Sequence, residues 1–144
     1  MARSGTLVKA VVDTNVVAYV LLGTEQYVEE SRKFLAAVRE VHAPAVWEAE
    51  IANVLWMAAR HKVFTIEEAV TRLTLAASLG IHSAPNRDLW QGALVRAHQS
   101  GIAVCDTLFI ELAVRERLPL ATFDAALLKT FPNIAARPAA ILSK

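Results

Sequence analysis

The run KAVVDTNVVAYVL, Lys9 to Leu21, holds a single carboxylate, Asp13, in an almost wholly apolar setting. Leu7 to Val12 is β-branched and apolar apart from Lys9, which predicts a short, fully buried strand. Asp13-Thr14-Asn15 interrupts it, and Asn15 to Leu22 predicts a short helix. Asp and Asn tolerate turn geometry and cap helices, so a turn alone would account for them. A chemical role for Asp13 needs partners elsewhere in the chain.

Working outward, further short apolar strands alternate with helices. Glu25 to Val41 is amphipathic, with Val28, Phe34, Leu35 and Val38 on one face, and His42-Ala43-Pro44 reads as a short strand entering a turn. Trp47 to Arg60 is a helix striped by Ile51, Val54, Leu55 and Ala58. Thr65-Ile66-Glu67-Glu68 is a capping box, opening a helix to Leu79 that stops at Gly80. Helices are expected from Pro85 or Asn86 to Ser100-Gly101 and from Val104 to Arg117. Pro119 to Thr122 is a brief strand, Asp124 to Thr130 a short helix, and Ala139 to Leu142 a last strand. The pattern predicts one α/β domain over residues 1–144, with a small parallel sheet of about four or five strands covered by helices on both faces. In such folds ligands gather at the carboxyl ends of the strands, near a topological switch point. Asp13 and Asp124 each follow a strand directly.

Composition narrows the function classes. The chain is 55% apolar and 20% charged, which excludes disorder for most of its length. Its mean hydropathy is +0.37, yet no apolar run approaches the roughly 18 to 20 residues that span a bilayer. The first residues lead straight into Asp13 with no signal-like cleavage region. One cysteine, Cys105, permits no internal disulfide, which places the chain in a reducing cytoplasm and makes Cys105 a small buried hydrophobe.

Most acids read as solvated helix surface: Glu25, Glu29, Glu30, Glu40, Glu67, Glu68 and Glu116. Four do not. Asp13 and Asp124 follow strands, Glu50 lies at the edge of a buried stripe, and Asp106 has Phe109 and Ile110 at i+3 and i+4. Singly, they suit N-caps, a first-turn acid and an exposed glutamate. Jointly, they resist that reading, because a buried carboxylate needs a partner or a metal, and no basic residue stands beside all four. Several carboxylates around one point would repel and retain a proton, and a hard divalent cation removes that penalty. All-oxygen ligation suits Mg²⁺ or Mn²⁺, and no Cys/His spacing points to zinc.

DTN after the first strand, EIANVL on a helix, AVCDTLFIELA, and then LATFDAAL resemble the PIN domain, and within it the VapC-type toxin ribonucleases. Order, spacing and length match from about Val8 to Ile141. The resemblance implies a three-layer PIN-like fold whose acids meet at the carboxyl edge of the sheet. It further implies binding of one or two Mg²⁺ or Mn²⁺ ions and hydrolysis of RNA to a 3′-hydroxyl and a 5′-phosphate. Asp13, Glu50, Asp106 and Asp124 match the acidic set, as both catalytic residues and metal ligands. Asn15 matches the amide that holds the first carboxylate, and Thr122 the hydroxyl before the last acid. Cys105 departs from the pattern, standing where many members carry Tyr or Phe. A cognate antitoxin and a homodimer or higher homo-oligomer are the implied protein partners.

Setting the four acids aside leaves 10 acidic against 15 basic residues, a surround that suits a polyanion. Arg60, His61, Lys62, Arg87, Arg96 and Lys129 are candidate phosphate contacts, and His98 is a surface helix residue. Two alternatives within the family pattern are a stand-alone RNA-processing nuclease and a PIN-like module that binds RNA or protein without cutting; the presence of all four acids argues against the second. An aspartyl-phosphate mechanism would need a second acid beside the first, where this chain has DTN. No serine stands in a nucleophile-elbow context.

Overall fold

The computed structural model describes residues 8–143. Its order is β1 (Lys9–Val12), α1 (Thr14–Leu22), α2 (Val28–Ala37), β2 (Glu40–Pro44), α3 (Val46–Arg60), α4 (Ile66–Ala77), β3 (His82–Ala84), a 3₁₀ turn (Asn86–Asp88), α5 (Trp90–Ser100), α6 (Val104–Glu116), β4 (Leu120–Ala121), α7 (Ala125–Thr130), β5 (Ala135–Ala136) and α8 (Pro138–Leu142). The strands form one parallel sheet in the order β3-β2-β1-β4-β5. Ala10, Val11 and Val12 are all buried, and successive strand residues face opposite sides, so helices cover both faces. This is the α/β architecture that the alternation of strands and helices predicts.

The chain moves outward from β1 through β2 to β3, then returns to lay β4 on the other flank of β1. The switch point therefore lies between β1 and β4, where Val11 pairs with Leu120 and Val12 with Ala121. Asp13 comes off one strand and Thr122-Phe123-Asp124 off the other, at the same edge. The amide of Asp13 extends the pairing by donating to the Ala121 carbonyl at 2.9 Å.

Several expectations shift. Glu25 to Val41 is not one helix: α2 ends at Ala37, Val38 turns extended at φ −64°, ψ 136°, and the chain enters β2. Ala139 to Leu142 is helix rather than strand, opened by Pro138 at its first turn, where a missing N–H costs nothing. The fifth strand is Ala135–Ala136 instead, and β3, an exposed edge strand, had no counterpart in the expected set. Leu7, expected to begin β1, lies outside the described residues. Cys105 is exposed in the first turn of α6, not buried. The capping box is present as expected: Thr65 Oγ1 accepts from the Glu68 amide at 3.1 Å, and Glu68 Oε1 from the Thr65 amide at 3.0 Å.

Candidate active site

Asp13 is 6% exposed at the end of β1. Its Oδ2 accepts from Thr122 Oγ1 at 2.7 Å and from Asn15 Nδ2 at 3.3 Å. Asn15 also donates to Thr122 Oγ1 at 3.4 Å, while its Oδ1 accepts from the Phe123 amide at 3.4 Å. The segments leaving β1 and β4 are thus laced together by Asn15 and Thr122, and the lacing fixes one carboxylate oxygen of Asp13.

The other acids arrive from three helices. Glu50 lies on α3, and its Oε1 accepts from Thr14 Oγ1 at 2.7 Å. Asp106 sits in the first turn of α6. Asp124 caps α7, its Oδ1 accepting from the Leu127 amide at 2.9 Å, so the N-cap role considered from sequence is real and uses one of its two oxygens. All four line one pocket of about 450 Å³ together with Thr14, Asn15, Ala18, Tyr19, Leu22, Asn53 and Val54. No Lys, Arg or His is in that lining.

The electrostatic consequence is large. Burial, with Asp106 and Glu50 adding their charges, pushes Asp13 up from its ordinary 3.8 to about 7, against the lowering effect of the Thr122 and Thr14 hydrogen bonds. Glu50 is raised by burial and then by Asp106, despite the Thr14 hydroxyl. Asp106 is raised by burial and then by Asp124. These are carboxylates kept short of counter-charge, which is the condition a divalent cation relieves. The donor set is all oxygen and hard, and it fits Mg²⁺ or Mn²⁺. Among the described residues, no three His, Cys, Asp or Glu side chains already stand as a formed metal cluster. The acids' charges act on one another across the pocket: Asp106 and Glu50 on Asp13, Asp106 on Glu50, and Asp124 on Asp106.

The basic candidates lie outside that lining. Arg60 sits over Trp56, 5.4 Å from the ring centroid, and Arg87 over Trp90 at 5.5 Å. Lys62 and Lys129 are exposed, as is His98. Arg96 is drawn elsewhere: its Nε donates to Glu111 Oε1 at 3.0 Å, while Arg115 Nε donates to Glu111 Oε2 at 2.8 Å. Glu111 is a buried acid that sequence reasoning left unsorted, and its i,i+4 spacing to Arg115 was the available signal. Thr14 carries no signal of its role in the sequence. Its partner lies 36 positions away, and nothing local announces it.

A family model described as PIN domain matches residues 10–131. A relative, Ribonuclease VapC3 of Pyrobaculum aerophilum, is 28% identical over 130 residues, covering 88% of this chain and 97% of its own. Among solved structures, a toxin–antitoxin complex from Klebsiella pneumoniae aligns with TM-score 0.62 and 18% identity, covering 90% of this chain and 97% of that one. VapBC2 from Rickettsia felis, bound to a DNA fragment from its promoter, aligns with TM-score 0.62 and 15% identity over 90% and 98%. At those identities the two structures speak for the fold. With the family model spanning most of the chain, from Ala10 in β1 to Phe131 just after α7, the protein belongs to the PIN domain family.

Proposed function

We propose that this chain is a divalent-metal-dependent endoribonuclease of the VapC type, the toxin half of a toxin–antitoxin pair, working in the cytoplasm as a single PIN domain over residues 1–144. The observation that carries the reading is the pocket at the β1/β4 switch point. Four carboxylates line it, no basic side chain does, and Asp13 is pushed to about 7. The similarity to a protein named Ribonuclease VapC3 supports RNA as the substrate.

Asp13, Glu50, Asp106 and Asp124 would hold Mg²⁺ or Mn²⁺. A cation bound there supplies Lewis-acid activation of water and stabilises charge on the scissile phosphate and leaving oxygen. The chain's own contribution is placement. Thr122 and Asn15 fix Asp13, Thr14 fixes one oxygen of Glu50, and the cap to Leu127 fixes one oxygen of Asp124. Those bonds limit how far each carboxylate must reorganise. Ala18, Leu22 and Val54, with the ring of Tyr19, form the apolar side of the pocket beside the acids. Arg60, Lys62, Arg87 and Lys129 would meet phosphates farther along the RNA.

The protein partners proposed are a cognate antitoxin and a second copy of the chain. Their support is the apolar surface left exposed outside the acidic pocket, at Trp56 on α3 and at Ile66 and Val70 on α4. Among the described residues no helix is long and apolar enough to cross a membrane.

The test is cleavage of RNA by purified protein with Mg²⁺ or Mn²⁺, compared with Asp13→Asn and Asp106→Asn. Loss of cleavage in both variants, and in wild type with chelator, is expected. Cleavage surviving in the variants with chelator present would overturn the reading.

A further inference from the structure

The acidic pocket does not end at the acids. On α1, Asn15, Ala18, Tyr19 and Leu22 follow helical spacing and share its wall with Glu50, Asn53 and Val54 of α3. A second cavity of about 460 Å³ takes over Leu22, Asn53 and Val54 and continues to Thr24, Met57, Ala58, His61 and Val63. Three shared residues make the two cavities one groove, acidic where α3 begins and ending at His61 where it stops. From Glu50 to His61 the helix rises by roughly 16 Å. Arg60 and Lys62 flank that far end, both exposed.

Asn53 stands where the two cavities meet. It is exposed, and among the described residues its amide has no hydrogen-bond partner; Asn15, the other amide in the lining, is fully engaged with Asp13, Thr122 and Phe123. Around Asn53 the groove offers apolar contact from Leu22, Val54 and Met57. An open amide at the edge of an apolar slot matches an unpaired nucleobase, which presents a face to be packed and an edge to be paired.

We infer that this groove holds the nucleotide next to the scissile phosphate and that Asn53 reads the edge of its base. The inference rests on the ribonuclease reading. The acidic end, through the cation it would hold, takes the phosphate, the slot takes the base, and Arg60 and Lys62 take the backbone leading away. A carboxamide pairs a donor and an acceptor at once, and adenine offers the matching pair at N6 and N7.

The experiment uses Asp13→Asn protein, which binds without cutting on the reading above, and the Asp13→Asn/Asn53→Ala double variant. Each is incubated with a random pool of short single-stranded RNA, and the retained sequences are counted. A base preference at one position, reduced about tenfold by Asn53→Ala, is the expected result. In parallel, the ends of products made by wild type and by Asn53→Ala are sequenced, and the variant is expected to cut at a wider set of sites. Identical retained pools, or no retained RNA, overturn the inference. So does a pool unchanged by Asn53→Ala when the same substitution weakens binding of a protein encoded beside this chain, since the groove then belongs to that protein. If wild type fails to cut while the retained pool still depends on Asn53, the base-binding groove stands and the nuclease reading falls.

Discussion

Asp13→Asn should stabilise the metal-free protein, and increasingly so as pH rises. In the unfolded chain Asp13 titrates near its ordinary 3.8, and in the folded chain near 7. Below 3.8 both states hold the proton, and the folded state carries no penalty. Between those values the unfolded chain gives up its proton while the folded one keeps it, so stability falls; above 7 the loss is complete. At about 1.4 kcal/mol for each tenfold difference in proton affinity, the full loss is about 4 kcal/mol. Asparagine cannot charge, so the variant escapes it. The advantage of Asp13→Asn over wild type should therefore grow by about 4 kcal/mol between pH 4 and pH 8. For a chain of this size that is on the order of 10 °C in Tm. The assay is thermal unfolding in EDTA across that range, reading the change in the difference rather than its value at one pH. Mg²⁺ or Mn²⁺ at pH 8 should then raise the Tm of wild type far more than that of the variant. A Tm difference that stays flat from pH 4 to pH 8 would refute the picture of an uncompensated buried acid.

Thr14→Val removes the 2.7 Å bond to Glu50 and should lower RNA cleavage about tenfold, with Thr14→Ser restoring most of it, because hydrogen bonds to a charged group contribute about 1.5–3 kcal/mol. Gly92→Ala should destabilise by about 1–3 kcal/mol in chemical denaturation, because a Cβ there collides with the Glu111 carboxylate that Arg96 and Arg115 hold in place. The same substitution should cost much less in a Glu111→Ala background, and equal costs would show that the collision is not the cause. Removal of divalent metal by EDTA should abolish RNA cleavage, and excess Mn²⁺ should restore it, as read on a gel of labelled RNA.

What could be read from sequence followed from burial. β1 was legible because Ala10, Val11 and Val12 are apolar on both faces, and Asp13 stood out against them. Glu25 to Val41 was misread because Val38 and Val41 continue the apolar rhythm of α2 across its end, and no Gly or Pro marks the stop. β3 was missed for the opposite reason: His82 and Ser83 are exposed at a sheet edge, where pairing is by backbone and the side chains carry no pattern. The four acids were visible as acids in apolar company, and the pocket does gather them. The hydroxyls that hold them were only half visible. Thr122 was picked out, but its bond to Asp13 spans 109 positions; the Thr14–Glu50 bond spans 36 and went unseen. Arg96 looked free because Glu111 reaches it from a different helix.

The pocket draws two acids from the first 50 residues and two from position 106 onward. Its deepest one, Asp13, depends on a hydroxyl that comes from Thr122. During synthesis, a ribosome that has released only the first two-thirds of the chain has made half a site. The carboxylates at 13 and 50 then have neither β4 beside them nor the other pair opposite. On the proposed chemistry, a nascent chain is harmless to the message that encodes it until β4, Thr122 and Asp124 have emerged. Cleavage becomes possible at the same moment as the sheet closes around β1, so the order of translation acts as a safety catch.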